Sequence, residues 1–252
     1  MPALIFLALV SILLTLYPTV ALNPSCAPGG NFDLSPWELQ LPTGSKGNPD
    51  TEFPSQLEGC GGYEDNKRLY FFTGSGDGAL VMKVPGSPAS SGCVTTPNSK
   101  HCRTELGEIN PPNWDPNASI NRLTVSLAVP VPDNSDQGTV IGQIHIDESI
   151  STKPICELFY SSSGTISMGV EQTRSGGNEK VIQVGSIPVN TTFSYSIAYE
   201  NNVLSVSING GTAQILSTYR LNAPLSYFKV GNYNQGDDPS EVHFFSINVE
   251  HS

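Results

Sequence analysis

The chain has 252 residues, with 12 Lys and Arg against 23 Asp and Glu, and carries a formal net charge of −11. Such an acidic chain is a poor partner for nucleic acids or anionic membranes, and a polyanionic substrate would need a local cationic cleft. The 24 Gly and 20 Pro residues argue against a helical protein and favour many short strands.

The first 21 residues are predicted to be a secretory signal peptide. An apolar run ends at Pro18, and Thr19-Val20-Ala21 resembles a small-x-small cleavage site, so we expect cleavage after Ala21. An uncleaved membrane anchor is the alternative, but the run is short and lacks flanking Lys or Arg. The sequence therefore predicts a secreted, extracellular protein with a single domain at residues 22–252.

The segments with strand character follow one another through this domain. Side chains alternate between apolar and polar in WELQLP (37–42), ALVMKVP (79–85), RLTVSLAVPV (122–131) and EVHFFSINVE (241–250). SYSIAYENNVLSVSING (194–210) is typical of a β-hairpin with Asn201-Asn202 at its turn. Many short strands separated by turns predict an all-β sandwich or jelly roll.

Five cysteines are consistent with an exported protein. Sequence alone does not fix their connectivity. We favour Cys93–Cys102, which closes a short loop, and Cys26–Cys60, which leaves Cys156 free in an apolar setting. Asn117 and Asn190 begin N-glycosylation sequons, which would be used only if the host secretes through an endoplasmic reticulum.

Three further segments have one apolar and one polar face when read with a period of two. In HCRTELGEI (101–109), IGQIHID (141–147) and YFKVGNYNQ (227–235), the apolar side can pack on a core. The polar sides present a guanidinium, an amide, an imidazole, an ammonium and a phenol, from Arg103, Gln143, His145, Lys229 and Tyr233. Were these strands neighbours, the groups would line one concave surface.

This combination suits β-elimination on a uronate polymer. A base must remove the weakly acidic proton on C5, α to the carboxylate, while the bond from C4 to the bridging oxygen breaks. Preordered donors must neutralise the carboxylate and stabilise the enolate-like charge. Arg can bind a carboxylate with two hydrogen bonds, Gln is a neutral donor, His is a donor or base, and a phenol can be base and then acid.

RTEL, QIH and YFKVGNYNQ, in this order, resemble the three signature blocks of polysaccharide lyase family 7, the alginate lyases. FDLSPWELQLP near the start also resembles that family's first strand, so the similarity covers almost the whole predicted domain. The resemblance implies a β-jelly roll, a concanavalin-like sandwich of two antiparallel sheets with a concave cleft, and cleavage without a cofactor. It implies that Arg103, Gln143 and His145 surround the substrate carboxylate, that Tyr233 is the catalytic acid and base, and that Lys229 and Gln235 bind substrate.

One position departs from the family pattern. The first block usually continues R-[ST]-E-L-R, whereas Gly107 stands here in place of the second Arg. By parity this position is on the cleft face, so a cationic contact is missing. The resemblance implies alginate as substrate, and the missing cation makes another uronan such as glucuronan the alternative. We also count Glu105 and Tyr227 as candidate substrate-binding residues, Tyr227 being equally compatible with the core.

Each of these residues alone has a plainer explanation. Arg103 would be a surface ion-pair partner, His145 a structural histidine and Tyr233 an ordinary strand aromatic; only their combination favours catalysis.

Glu105 and Glu108 lie on opposite faces of a strand, which argues against a glycoside hydrolase pair. A non-catalytic lectin-like module remains the other alternative. We expect no bound metal, since the acidic residues near 147 and 237 lack a calcium-loop pattern, and we expect a monomer.

Overall fold

The computed structural model describes residues 21–252, so the predicted signal peptide lies outside the described residues except for Ala21. These residues form 15 strands and two single-turn helices. In chain order they are β1 (Trp37–Ser45), β2 (Asn48–Glu52), α1 (Pro54–Leu57), β3 (Phe71–Thr73), β4 (Leu80–Val84), α2 (Pro88–Ser91), β5 (Arg103–Glu108), β6 (Asn121–Val131), β7 (Thr139–Ile146), β8 (Pro154–Tyr160), β9 (Thr165–Val170), β10 (Lys180–Ser186), β11 (Phe193–Glu200), β12 (Val203–Ile208), β13 (Gln214–Leu216), β14 (Ser226–Tyr233) and β15 (Ser240–His251).

The strands form two antiparallel sheets packed face to face. The eight-stranded sheet has the order β10-β9-β8-β7-β14-β5-β1-β2, and the seven-stranded sheet has the order β13-β12-β11-β6-β15-β4-β3. Neither order follows the sequence, because strands cross from one sheet to the other, as in a jelly roll. The all-β jelly-roll prediction is confirmed. Among the described residues, no helix is long and apolar enough to cross a membrane.

The alternation that predicted the strands also builds the core. In β1, Trp37, Leu39 and Leu41 are buried between the sheets, while their neighbours Glu38 and Gln40 face the other way. The five segments predicted as strands from their alternation all contain strands of the structure. This division of faces leaves one side of the eight-stranded sheet free to carry polar side chains.

The predicted hairpin is formed by β11 and β12. Asn201 and Asn202 connect the two strands with φ angles of 49° and 59°. Two central residues with positive φ are typical of the type I′ turn, whose twist matches that of the flanking strands. Asn tolerates this left-handed region better than most residues, which explains the Asn pair at this turn.

Both predicted disulfides are present. Cys26 pairs with Cys60 and Cys93 with Cys102, and Cys156 is a free, buried thiol. The pair Cys93–Cys102 ties the loop before β5 to the start of that strand. The cysteines thus fit an oxidising compartment, and one of the two disulfides fixes a segment next to the polar face.

The inner face of β5 carries a buried carboxylate. Glu108 accepts hydrogen bonds from the Trp114 indole (2.9 Å) and from the backbone N–H of Phe228 (3.0 Å). Its other oxygen lies 2.6 Å from Nε2 of His251. Glu108 therefore joins β5, β14 and β15 within the core, and His251 has a structural contact there.

We predict that Glu108→Ala lowers the free energy of unfolding by about 3 kcal/mol, because it leaves several buried donors without an acceptor. Chemical denaturation of the wild-type and variant proteins measures this difference. Glu250→Ala is the matched control, since Glu250 is exposed on β15 and its loss should cost less than about 0.5 kcal/mol. Equal effects of the two substitutions would contradict the structural role of Glu108.

Candidate active site

The three polar segments are adjacent strands of the eight-stranded sheet, in the order β7-β14-β5. Strand register aligns their outer residues in rows across the sheet. One row runs through Glu38, Gly107, Lys229, Gln143, Glu157 and Gly169. A cleft of about 440 Å³ lies over this face. Five predicted site residues line it: Arg103, Gln143, His145, Lys229 and Tyr233.

Glu105 is the centre of the cleft floor. Its carboxylate accepts a hydrogen bond from the Arg103 guanidinium at 2.9 Å and a short one from the Gln143 amide. The Lys229 ammonium lies 3.8 Å from the same carboxylate. Glu105 is 3% exposed and is surrounded by its partners. Its place beneath the cleft surface makes it a residue that positions the binding groups.

The backbone around Glu105 is closely packed, which explains one glycine of the third segment. Gly231 is paired with Glu105 across the β5–β14 ladder. A Cβ at position 231 would lie 2.6 Å from the Glu105 Cα and from the Thr104 carbonyl oxygen. Only glycine permits this approach, and it leaves the Glu105 side chain room between the strands.

Tyr233 lies over the Arg103 guanidinium, with 3.6 Å between the guanidinium carbon and the ring centroid. The Ser99 hydroxyl is 3.1 Å from the phenol oxygen and also accepts a hydrogen bond from Arg103 at 3.1 Å. The side chain of Ser99 belongs to the loop closed by Cys93–Cys102. The phenol is thus held between a cation and a hydroxyl at the rim of the cleft.

His145 is a neutral imidazole with a defined tautomer. Burial, and secondarily the charge of Lys229, lowers its pKa to about 3. Nδ1 lies 2.8 Å from the Ile146 carbonyl oxygen, which can only accept a hydrogen bond, so Nδ1 carries the proton. Nε2 therefore has a free lone pair, which suits an acceptor or base better than a cationic donor.

Arg103 and Lys229 are the cations of the floor. Burial lowers the pKa of Arg103, but Glu105, together with Tyr233 and Glu157, more than compensates and keeps this pKa above the usual value. Burial lowers the pKa of Lys229, and Glu105 partly opposes this effect. Arg103 uses two of its five N–H donors on Glu105 and Ser99, and its Nε–H is buried with no partner among the described residues. To bind a substrate carboxylate with two hydrogen bonds, Arg103 would therefore have to use N–H groups that also bind Glu105 or Ser99.

Gly107 leaves an open position on the cleft floor. A Cβ there would meet only the Glu38 side chain, at 3.8 Å. The register places Gly107 between Glu38 on β1 and Lys229 on β14. The residue is thus on the cleft face, as parity predicted, and an acidic side chain is its neighbour where a second cation was expected.

The β8 side of the cleft is acidic. Glu157 pairs with Gln143 across the ladder, and Glu171 and Glu179 line the same cleft. Burial, reinforced by Glu179, raises the pKa of Glu157 to about 8, against the lowering effect of Arg103. Glu171 is nearly buried and its Oε2 has no hydrogen-bond partner within residues 21–252. Cationic and acidic groups therefore occupy opposite sides of one cleft.

Two predicted site residues lie at the margins. The Tyr227 ring packs on the His145 ring with centroids 5.2 Å apart, and its hydroxyl donates to Glu148 at 3.4 Å. Gln235 follows β14, after an irregularity between Val230 and Tyr233, and lines a separate depression near His101. Its backbone N–H donates to Asp133 at 2.7 Å. Gln235 is therefore outside the cleft that holds the other predicted residues.

Sequence reasoning did not identify Ser99 or Glu157. Ser99 is in a loop without periodicity, and only its place between two paired cysteines hinted at a fixed position. Glu157 is embedded in the apolar stretch ICELF, whose single charged residue on a strand signals an outward-facing polar group. Trp37 and Trp114 are both buried in the core. Within residues 21–252, no three His, Cys, Asp or Glu side chains are grouped to hold a metal ion.

Comparison with known proteins gives consistent matches over this whole region. A family model described as alginate lyase matches residues 32–251. An alginate lyase of Klebsiella pneumoniae is 25% identical, with 89% of this chain and 91% of that protein covered. The crystal structure of the family 7 alginate lyase A1-II′ has a TM-score of 0.74 at 28% identity, covering 90% of this chain and 99% of that one. An alginate lyase of Pseudomonas aeruginosa has a TM-score of 0.72 at 28% identity, covering 87% and 100%.

The raised pKa of Glu157 predicts a pH-dependent stability. Its folded value of about 8 exceeds the ordinary value of 4.5, so the native state holds the proton more tightly than the unfolded state. The free energy of unfolding should therefore fall as the pH rises from about 4.5 to 8. Glu157→Gln, which cannot ionise, should reduce this fall by about 1 kcal/mol, allowing for solvent at the cleft.

Urea denaturation at pH 5 and pH 8.5 tests this expectation. Glu148→Gln is the matched control, because Glu148 is an exposed glutamate of the same cleft. If the free energy of unfolding changed with pH equally in the wild-type and Glu157→Gln proteins, the pKa of Glu157 would not be raised in the folded state.

Proposed function

The chain belongs to the alginate lyase family, and from this premise we propose that it cleaves alginate by β-elimination in the cleft above Glu105, leaving a 4,5-unsaturated uronate at the new non-reducing end. It is a polysaccharide lyase. The observation that carries the proposal is the convergence of a guanidinium, an amide, an imidazole, an ammonium and a phenol on one polar sheet face. A double variant of the lyase A1-II′, with one His changed to Asn and one Tyr to Phe, was solved in complex with substrate and is 27% identical to this chain.

Substrate binding is proposed to begin with the uronate carboxylate. Gln143, Lys229 and Arg103 surround the position above Glu105, so they would offer an amide donor and two cations. Because Glu105 already fixes their orientation, little reorganisation is needed when the anion arrives. Neutralising the carboxylate makes the C5 proton easier to remove, since the developing negative charge spreads onto the carboxylate oxygens.

Proton transfer is proposed to involve Tyr233 and His145. The base takes the C5 proton, the C–H electron pair forms the C4–C5 double bond, and the bond from C4 to the bridging oxygen breaks. The departing oxygen then receives a proton from the acid. Tyr233 would serve as principal base and acid. His145, whose Nε2 lone pair is free, would act as base when the C5 proton is on the opposite face.

Glucuronan is the second candidate substrate. The observation in its favour is the open position at Gly107 next to Glu38, which lowers the positive charge of the floor compared with the usual family motif. A lectin-like module without catalysis would not need a phenol held by a cation and a hydroxyl, as Tyr233 is.

The protein is proposed to act outside the cell. The N-terminal sequence predicts export, and the two disulfides are consistent with an oxidising compartment. Asn117 and Asn190 are both exposed and would be glycosylated in a host that secretes through an endoplasmic reticulum. We further propose that the enzyme acts as a monomer on its anionic polysaccharide, without a cofactor.

A panel of purified uronans, followed by ultraviolet absorbance, tests the proposed reaction. A lyase creates an absorbing unsaturated end, a hydrolase creates reducing ends without this absorbance, and a lectin creates neither. We expect absorbance to increase with alginate. Increase only with glucuronan would select the second candidate, and reducing ends without absorbance would exclude β-elimination.

We predict that Tyr233→Phe lowers kcat at least a hundredfold but leaves substrate affinity nearly unchanged, because only the phenol hydroxyl is lost. The ultraviolet assay gives the rate, and calorimetric titration with alginate oligomers gives the affinity. Ser99→Ala, which removes one partner of that hydroxyl, should have a smaller effect. A near-normal rate for Tyr233→Phe would exclude this residue as acid and base.

We predict that Arg103→Ala lowers kcat/KM on the order of a hundredfold and raises KM, because the carboxylate loses a cation and Tyr233 loses its support. Arg103→Lys keeps the charge but loses the planar donor set, so it should be intermediate. Arg122→Ala on the opposite sheet is the control. If Arg103→Ala is folded by circular dichroism and retains wild-type rate constants, Arg103 has no part in the reaction.

A further inference from the structure

A second depression adjoins the acidic side of the cleft. It has a volume of about 690 Å³, and Glu179 lines both it and the cleft, so the two are adjacent at this side chain. Tyr219, Arg220 and Lys180 line the depression with Gly177. None of these four residues was among the predicted site residues.

Tyr219 displays an aromatic ring to solvent in a protein that buries both its tryptophans. The side chain is 64% exposed, and the Arg220 guanidinium lies 5.1 Å from its ring centroid. An exposed ring with a polar rim is the usual platform for the apolar face of a sugar ring, and the neighbouring guanidinium can pair with a carboxylate. Lys180, also exposed, adds a second cation at the same depression.

The loop that carries Tyr219 holds an unfavourable backbone conformation. Tyr219, Asn222 and Ala223 have φ angles of 39°, 55° and 42° within five residues. Residues other than glycine rarely adopt this region, and such strain persists only where surrounding contacts impose it. Three such residues in one short loop indicate that contacts with the rest of the protein hold the loop in this conformation.

Two residues of the segment that follows β9 hold this conformation. Arg174 donates hydrogen bonds to the carbonyls of Leu221 (2.7 Å) and Asn222 (2.8 Å). The backbone N–H of Arg220 donates to the Gln172 carbonyl at 3.0 Å. The loop is therefore fixed against the eight-stranded sheet, and Tyr219 and Arg220 are presented at a constant place beside the cleft.

Glu179 marks the passage between the cleft and the depression. A Cβ at Gly169 would collide with the Glu179 carboxylate, so the missing side chain at Gly169 creates the space that Glu179 occupies. Carboxylates accept hydrogen bonds from sugar hydroxyls but repel a uronate carboxylate. A polymer crossing this passage would therefore turn its hydroxyls toward Glu179 and offer its next carboxylate to the cations beyond.

We propose that the depression formed by Tyr219, Arg220, Lys180 and Glu179 is a distal subsite that binds a uronate unit of the polymer several sugars away from the scissile bond. This proposal rests on the proposed function. Tyr219 supports the sugar ring, and Arg220 and Lys180 bind its carboxylate. The path from β14 to β10 crosses four strand spacings of about 4.8 Å, which corresponds to about four sugar units of an extended chain.

Chain-length dependence tests the distal subsite. Tyr219→Asn removes the ring but keeps a residue that tolerates positive φ, and Arg220→Gln removes the charge. For each variant, KM and kcat are measured by ultraviolet absorbance with an alginate trimer, which is too short to reach the depression, and with long alginate. We expect KM for the long chain to rise about three- to tenfold, with kinetics on the trimer unchanged.

Matched controls separate this effect from others. Arg122→Gln, on the seven-stranded sheet, should leave both substrates unaffected. The proposal would be overturned if Tyr219→Asn and Arg220→Gln had the same KM and kcat on long alginate as the wild-type enzyme. It would also be overturned if activity fell equally on the trimer and on long alginate, because the loop would then act through the active site. Failure of the wild-type enzyme to yield unsaturated products from any alginate substrate would instead overturn the proposed function.

Discussion

The organisation of the cleft depends on one buried carboxylate. Glu105 binds Arg103 and Gln143 and lies near Lys229, so three groups from three strands share one anionic partner. A buried charge without partners is costly, whereas here each charge compensates the others. Because these contacts form within the folded protein itself, the groups that line the cleft are already oriented. Their arrangement is therefore a property of the folded sheet.

This network also explains how a chain of net charge −11 can present a cleft to a polyanion. The cations are few, but they are concentrated where Glu105 holds them, and Arg103 in turn supports the ring of Tyr233. Across the same floor, the carboxyl groups of Glu171 and Glu179 lie opposite these cations. A polymer that binds must therefore match an alternation of charges, which is a more selective requirement than a uniformly positive groove.

The sequence predicted the fold and most of the cleft because both depend on local periodicity. A period of two placed Leu106 and Ile144 inward and Glu105 and Gln143 outward, and antiparallel pairing then brought the outer residues together. The same reasoning failed beyond the end of β14, where Gln235 has left the strand and its backbone N–H donates to Asp133, outside the cleft. It also could not find Ser99 or Tyr219, whose positions are set by loops held through a disulfide and through Arg174. Such contacts between distant segments have no periodic signal.

The strand order has a consequence for biosynthesis. β14 lies between β7 and β5, which are both synthesised long before it, so the sheet cannot be completed in the order in which the ribosome delivers it. Contacts between such distant segments make folding slow in comparison with local hairpins. The nascent polypeptide lacks Lys229 and Tyr233 until its last fifth emerges. The strand that carries Lys229 and Tyr233 is thus among the last to join the sheet.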